Sequence, residues 1–185
     1  MPLDTASLRI RTYPDDVLRT KARPVATLTD EVRDVARRMI EIMHEAEGIG
    51  LAAPQVGLAW RLFVAHVPES ESRSAASVPP SATREPQTYI NPVLTQPLGP
   101  PEPLSEGCLS LPDILGEVLR SPTITIVATG LDGRTLTHTA TGLLARCWQH
   151  EVDHLDGVLI IDKMTQLSRL KNRLAIRDLE RDAER

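Results

Sequence analysis

Apolar positions recur at helical spacing in Val32, Val35, Ala36, Met39, Ile40 and Met43. That stripe predicts an amphipathic helix running to about Glu45. Thr29 stands as its cap, Asp30 and Glu31 suit the positive helix start, and Gly48 and Gly50 end it. Leu143, Cys147, His150 and His154 repeat the same spacing, with Gly157 as a C-terminal stop, and predict a second helix. A charged helix is expected from about Thr165 to the end. Alternation predicts strands at Arg61 to Val67 and at Tyr89 to Thr95, the latter with Asn91-Pro92 at a bulge or edge. Two more are expected at Thr123 to Ala128 and Thr135 to Ala140, joined by a turn through Asp132-Gly133. Residues 8 to 24 read as a wrapped, mostly extended arm.

Two stretches fit neither pattern. Residues 69 to 86 hold five Ser, three Pro and mixed charges, and read as a mobile surface loop without chemistry. Gly48-Ile49-Gly50-Leu51-Ala52-Ala53-Pro54-Gln55-Val56-Gly57 is too broken for a helix and too poor in large side chains for a strand core. Its small residues suggest backbone that approaches a ligand or a neighbouring strand closely. A tight turn would leave Gln55 without a purpose.

Composition narrows the class. The 185 residues are enough for one domain, 1–185, and a real core, and 41% hydrophobic with 25% charged content is ordinary for a globular protein. With 3% aromatics, that core must be mostly Leu, Ile, Val and Ala. A net charge of -4 argues against broad nucleic-acid binding. No apolar run approaches a membrane span, and Met1-Pro2-Leu3-Asp4 lacks the pattern of a signal or transit peptide. A cytoplasmic address is therefore expected, in which Cys108 and Cys147 are free thiols or metal ligands rather than a disulfide.

The chemistry concentrates in Gln149-His150-Glu151-Val152-Asp153-His154. Two histidines four apart share one helix face and can reach one ion, while Glu151 can reach a water beside it. Alone, the pattern also fits a surface helix. Catalytic zinc-like sites take three protein ligands and leave one position open. The metzincin extension fails, because Ile160 stands where its third histidine would be. Asp162 and the acids of the last helix look like a solvated face. Cys108, flanked by Gly107, has the right chemistry, and its alternative is a small buried hydrophobe. His44 is expected on a polar helix face, and His66 and His138 as ordinary strand residues.

Gly48-Ile49-Gly50-Leu51-Ala52-Ala53-Pro54-Gln55, Glu106-Gly107-Cys108-Leu109-Ser110 and the HExxH stretch, in that order, resemble the three motifs of the peptide deformylases. Arg11-Thr12-Tyr13-Pro14 and Gly116-Glu117-Val118-Leu119-Arg120 extend the likeness, which covers roughly residues 8 to 165. Two departures are visible: a longer Ser-rich loop, and Asp113 where many members have glycine. The resemblance implies an α+β fold with mixed or antiparallel sheets around a central HExxH helix, and N- and C-terminal helices outside. It implies that Cys108, His150 and His154 hold one divalent ion per chain, with Glu151 as general base. Gln55 and the Leu109 backbone N–H would steady the oxyanion. Ile49 and Gly50 would pair with the substrate backbone, and Leu104, Leu143, Cys147 and Ile49 would form a methionine pocket, although simple core packing explains these side chains equally.

Ligand chemistry by itself suggests zinc, whereas the resemblance implies Fe²⁺, with Zn²⁺ or Ni²⁺ able to replace it. The expected reaction is hydrolysis of the formyl group from N-formylmethionyl nascent peptides, releasing formate. A ribosome contact through the C-terminal helix follows from the same resemblance. That helix carries six basic and four acidic residues, with Leu167, Leu170 and Leu174 expected to pack it down. The alternatives are a metalloendopeptidase and a non-enzymatic metal-binding protein.

Overall fold

The computed structural model describes residues 3–183. The reading of Met1-Pro2 and the last two residues of the expected C-terminal helix lie outside that range. Helix α1 spans Asp30–Glu45, and the Thr29 hydroxyl accepts the Val32 N–H at 3.4 Å. The strands are β1 (Gly50–Ala52), β2 (Leu62–Ala65), β3 (Gln87–Leu98), β4 (Glu102–Cys108), β5 (Leu111–Arg120), β6 (Thr123–Thr129) and β7 (Thr135–Thr141). Helices α2 (Gly142–Leu155), α3 (Ile160–Lys163) and α4 (Gln166–Ala183) follow. Strands β1-β2-β3-β6-β7 form one antiparallel sheet in that order, and β4-β5 form a separate antiparallel hairpin. The class is the expected α+β.

Strand β2 shows how the sequence builds two cores from one sheet. Its side chains alternate faces, as a strand requires. Leu62 and Val64, with Leu51 and Ile90, meet the stripe of α1. Phe63 and Ala65, with Tyr89, Ile126 and Ala140, meet Leu144, Ala145 and Trp148 of α2. Both faces are covered, so β2 is apolar throughout instead of alternating with polar residues. The few aromatics are concentrated behind α2: Phe63 stacks on Tyr89 at 4.7 Å, and Tyr89 meets Trp148 edge-on at 5.5 Å. Helix α2 is thereby seated against the sheet along its length.

The bulge expected at Asn91-Pro92 is present. The β3–β6 register shifts between Ile90 and Val93, where Pro92 has no N–H to give. Asn91, at φ +51, clamps the N-terminal arm by exchanging two hydrogen bonds with Val25, at 2.8 and 2.9 Å. The β6–β7 turn closes through Gly133 at φ +79. The arm wraps the molecule as expected, adding a 3-10 turn at Asp16–Arg19. The loop at 69–86 is tied internally, with the Ser74 N–H donating to Ser81 Oγ at 3.0 Å.

Three expectations need correction. The β4–β5 hairpin was not anticipated at all. Its inward positions read Leu111, Ile114, Gly116, Val118 and Arg120, so a glycine and a buried arginine interrupt the apolar alternation. Gly116 is required there, because a Cβ would lie 2.6 Å from Met164 Cε. Second, the stretch at 48–57 is partly a strand, β1, which continues as a 3-10 turn over Ala53–Val56. Third, α4 is not packed down by Leu167, Leu170 and Leu174, all of which are more than 60% exposed. It packs through Ala175, Ile176 and Leu179. Near its start, Ser168 donates no apolar area but accepts the Glu117 N–H at 3.0 Å, and Asn172 donates to the Leu115 carbonyl at 2.7 Å. These bonds occupy the free edge of β5, and the leucines face away from it.

Candidate metal centre and cleft

Helix α2 presents Arg146, His150 and His154 at successive four-residue steps, hence on one face. His150 Nε2 and His154 Nε2 lie 3.2 Å apart, and Cys108 Sγ is 3.2 Å from His154 Nε2. All three donor atoms fall within 4.8 Å of one another. Cys108 reaches them from the end of β4, where the hairpin register shifts between Glu106 and Cys108. Such an irregularity re-aims a side chain out of the strand's plane. One soft sulfur and two borderline nitrogens converging on one point suit a divalent transition ion, and the donor set fits.

Behind the ligands lies a charge network spanning three elements. Glu106 accepts from Arg120 Nε and Nη2 at 2.8 and 2.9 Å, from Arg146 Nη1 at 2.7 Å, and faces His150 Nδ1 at 3.1 Å. Arg120 also donates to Asp153 at 2.6 Å, and Arg146 to the carbonyls of Val118 and Glu102 at 2.9 and 2.7 Å. Burial opposes charge on Glu106, but the Arg120 guanidinium and His150 outweigh it and hold the carboxyl well below its usual range. With Nδ1 directed at a carboxylate, His150 keeps Nε2 for the ion, the usual outer-partner arrangement of a metal-bound histidine. Burial likewise opposes charge on His150, yet the Cys108 sulfur and Glu106 push it up to about 10 when no ion is bound.

Gln55 is buried and held at both ends of its amide. Its Oε1 accepts the Ala52 N–H at 2.9 Å, and its Nε2 donates to Ser110 Oγ at 3.2 Å and lies 3.6 Å from Cys108 Sγ. The carbonyl end is thus spent on the backbone and the NH₂ end faces the cluster. Glu151 is 3% exposed, and its Oε2 has no hydrogen-bond partner. Burial pushes its carboxyl up to about 7. A Cβ on Gly50 would stand 2.2 Å from Glu151 Oε1, so the glycine makes room for the carboxylate.

A cavity of about 400 Å³ opens over these groups. Ile49, Gly50, Gln55, Cys108, Leu109, Leu143, Cys147, His150 and Glu151 all line it. Burial drives the Cys147 thiol well above its ordinary value, which keeps it an apolar wall. Leu104 does not reach the cavity: it is half-exposed on β4, and Ser105 and Glu106 stand in the lining instead. Sequence reasoning passed over Arg120, Arg146, Ser110 and the orienting part of Glu106. Arg146 sits one turn before His150, and that spacing is the one local signal that could have pointed to it. The structure also unites two histidines read as unrelated: His44 Nε2 is 3.0 Å from His66 Nδ1, outside the cavity.

Comparison with known proteins places the whole chain among known relatives. The polypeptide deformylase family matches residues 7–170. A peptide deformylase of Chromohalobacter salexigens is 45% identical over 165 residues, covering 89% of each chain. Peptide deformylase 2 of Gloeobacter violaceus is 40% identical over 94% of this chain and 90% of its own. The crystal structure of the Ehrlichia chaffeensis peptide deformylase superposes with a TM-score of 0.85 at 31% identity, covering 96% of this chain and 97% of the other. With these likenesses over nearly its full length, the chain belongs to the polypeptide deformylase family of metal-dependent hydrolases.

Proposed function

We propose that this cleft hydrolyses the formyl group of N-formylmethionyl peptides with Glu151 as its general base. The deformylase reaction is the family's activity, and the proposal concerns which residues of this chain perform it. The observation that carries the reading is Glu151: a buried carboxylate with an unpartnered oxygen, beside three converging ligand atoms. Its rise to about 7 suits a base working near neutral pH.

Cys108, His150 and His154 would hold one divalent ion, which would supply Lewis-acid chemistry at the formyl group. Glu151 takes a proton from the attacking water as the C–O bond forms, and returns it to the peptide nitrogen as the C–N bond breaks. Formate and a methionyl amine leave. The Gln55 amide N–H, beside Cys108 Sγ, and the Leu109 backbone N–H would steady the charge that builds on the formyl oxygen. Ile49 and Gly50 offer strand edge to the peptide backbone, and Leu143 and Cys147 an apolar wall to the methionine side chain. We assign Fe²⁺ as the native ion from the resemblance, with Zn²⁺ or Ni²⁺ as substitutes; ligand chemistry alone would accept any of them.

Nascent chains as substrate argue for a cytoplasmic address, and no helix of the described residues is long and apolar enough to cross a membrane. For the ribosome contact, α4 offers Arg169, Arg173 and Arg177 along one groove, beside the exposed leucines. Deleting the residues after Arg173 should lower ribosome co-sedimentation; unchanged co-sedimentation removes that contact. For the reaction, Glu151→Ala should retain its metal and lose formate release by about 10²–10⁴-fold, the usual share of a general base. Internal peptide cleavage without formate would favour the endopeptidase instead.

A further inference from the structure

We propose that Lys163 is a positioning residue for the metal centre: from the surface it anchors a chain of alternating charges that ends on His150. The inference rests on the metal-centre reading and adds to it a residue outside the three motifs. Lys163 closes α3, and its Nζ lies 2.9 Å from Asp153 Oδ1. Asp153 Oδ2 accepts from Arg120 Nη1 at 2.6 Å. The other two nitrogens of that guanidinium, Nε and Nη2, donate to the two oxygens of Glu106. Glu106 Oε2 in turn faces His150 Nδ1 at 3.1 Å. The chain therefore runs unbroken from solvent to the thiol–imidazole cluster, through α3, α2, β5 and β4.

Asp153 is fixed from both sides, with one oxygen on Lys163 and the other on Arg120. Arg120 is buried, its side chain 3% exposed, so little water reaches it to replace a lost partner. Without Lys163, Asp153 can turn about its Cβ–Cγ bond and Arg120 must follow. Glu106, gripped by Arg120, then leaves the plane in which it meets His150 Nδ1. The anchor itself is well seated. Ile160, Ile161 and Met164 around it are buried, and Met164 bridges to Val118 of β5. The Lys163 side chain is 43% exposed, and a half-exposed ion pair adds little stability by itself. Its place at the end of the chain is what gives it an effect on the centre. Charge alone predicts the opposite effect. Removing a cation near the centre lowers the repulsion felt by an incoming divalent ion and tightens binding, whereas loss of position loosens it. The sign of the change separates the two roles.

The test compares the full-length wild type with Lys163→Met and Lys163→Arg. Lys171→Met serves as control, because Lys171 is an exposed lysine of α4. Each protein is titrated with Co²⁺ against a chromophoric chelator, its visible spectrum is recorded, and formate release from formyl-Met-Ala-Ala amide is followed. Lys163→Met should weaken Co²⁺ binding by about three- to tenfold, less than the roughly 10–100-fold of a partner in direct contact with a ligand. Its visible bands should shift, and kcat should fall with KM nearly unchanged. Lys163→Arg should restore all three, and Lys171→Met should match wild type. If Lys163→Met does not fold, Lys163→Gln carries the same test. Equal or tighter Co²⁺ binding without the lysine, or a loss that Lys163→Arg or Lys171→Met shares, overturns the proposal. Wild type that binds no Co²⁺ overturns the metal-centre reading itself.

Discussion

Two histidine pairs in this molecule share nearly the same ring spacing and tilt and differ in everything around them. His150 and His154 have ring centroids 4.9 Å apart at 71°, with facing nitrogens at 3.2 Å. His44 and His66 have centroids 5.2 Å apart at 69°, with facing nitrogens at 3.0 Å. The first pair has a cysteine sulfur in reach, a carboxylate behind one ring, the buried Glu151 carboxyl beside it and a cavity above. The second lies at the surface, belongs to no group of three ligating side chains among the described residues, and lines no cavity of the cleft. Two imidazoles at ligand spacing are thus a common local event. What turns a pair into a centre is the third donor and the buried charges that fix the rings.

The comparison can be broken from either side. Cys108→Ala reduces the α2 pair to what the surface pair already is. The dissociation constant for Co²⁺ or Zn²⁺ should rise by more than the roughly 10–100-fold that losing an outer partner costs, measured by competition with a chromophoric chelator. Retained tight binding would mean the thiolate is not a ligand. Glu151→Gln tests what the buried base costs. Its folded value of about 7 lies above the ordinary 4.5, so wild-type stability contributed by the protonated form is present below pH 4.5 and lost as pH rises through 7. Metal-free wild type should therefore fall behind the variant by about 3 kcal/mol between pH 4.5 and pH 8, read from urea midpoints. A constant difference across that range would show the carboxyl is not strained by burial.

A smaller effect is expected from Arg146→Met, which fills the same stem but releases Glu106 and the β4–β5 carbonyls. Co²⁺ affinity should weaken by about tenfold, with an altered visible spectrum as the Cys108–His150 geometry loosens. An unchanged spectrum would reduce Arg146 to packing. The least change is expected from His66→Ala. Stability should stay within about 0.5 kcal/mol, as for an ordinary surface substitution, and metal content should not move. A loss of one bound ion would raise the surface pair to a site.

Legibility followed locality. The stripe of α1 and the alternation of β6 and β7 were readable because each element buries one face against one neighbour. Strand β5 was not, since Gly116 is dictated by Met164 and Arg120 by Glu106, both remote in sequence. The leucines of α4 misled for the reverse reason. Leu167, Leu170 and Leu174 have the spacing of a buried stripe, but Ser168, which accepts the Glu117 N–H, and Asn172, which donates to the Leu115 carbonyl, hold the β5 edge while the leucines stay exposed. Leu104 was expected in the pocket, and only the path of the hairpin shows it half-exposed.

The amino-acid sequence alone determined the helix that carries His150, Glu151 and His154, because a 3.6-residue period sets which side chains share a face. Motif likeness added Cys108 and Gln55 to that helix. Tertiary structure decided the rest: that Glu106 is gripped by two arginines while it orients His150, and that Gln55 turns its NH₂ inward. Those are relations between distant segments brought together by burial, and no periodicity within a segment encodes them.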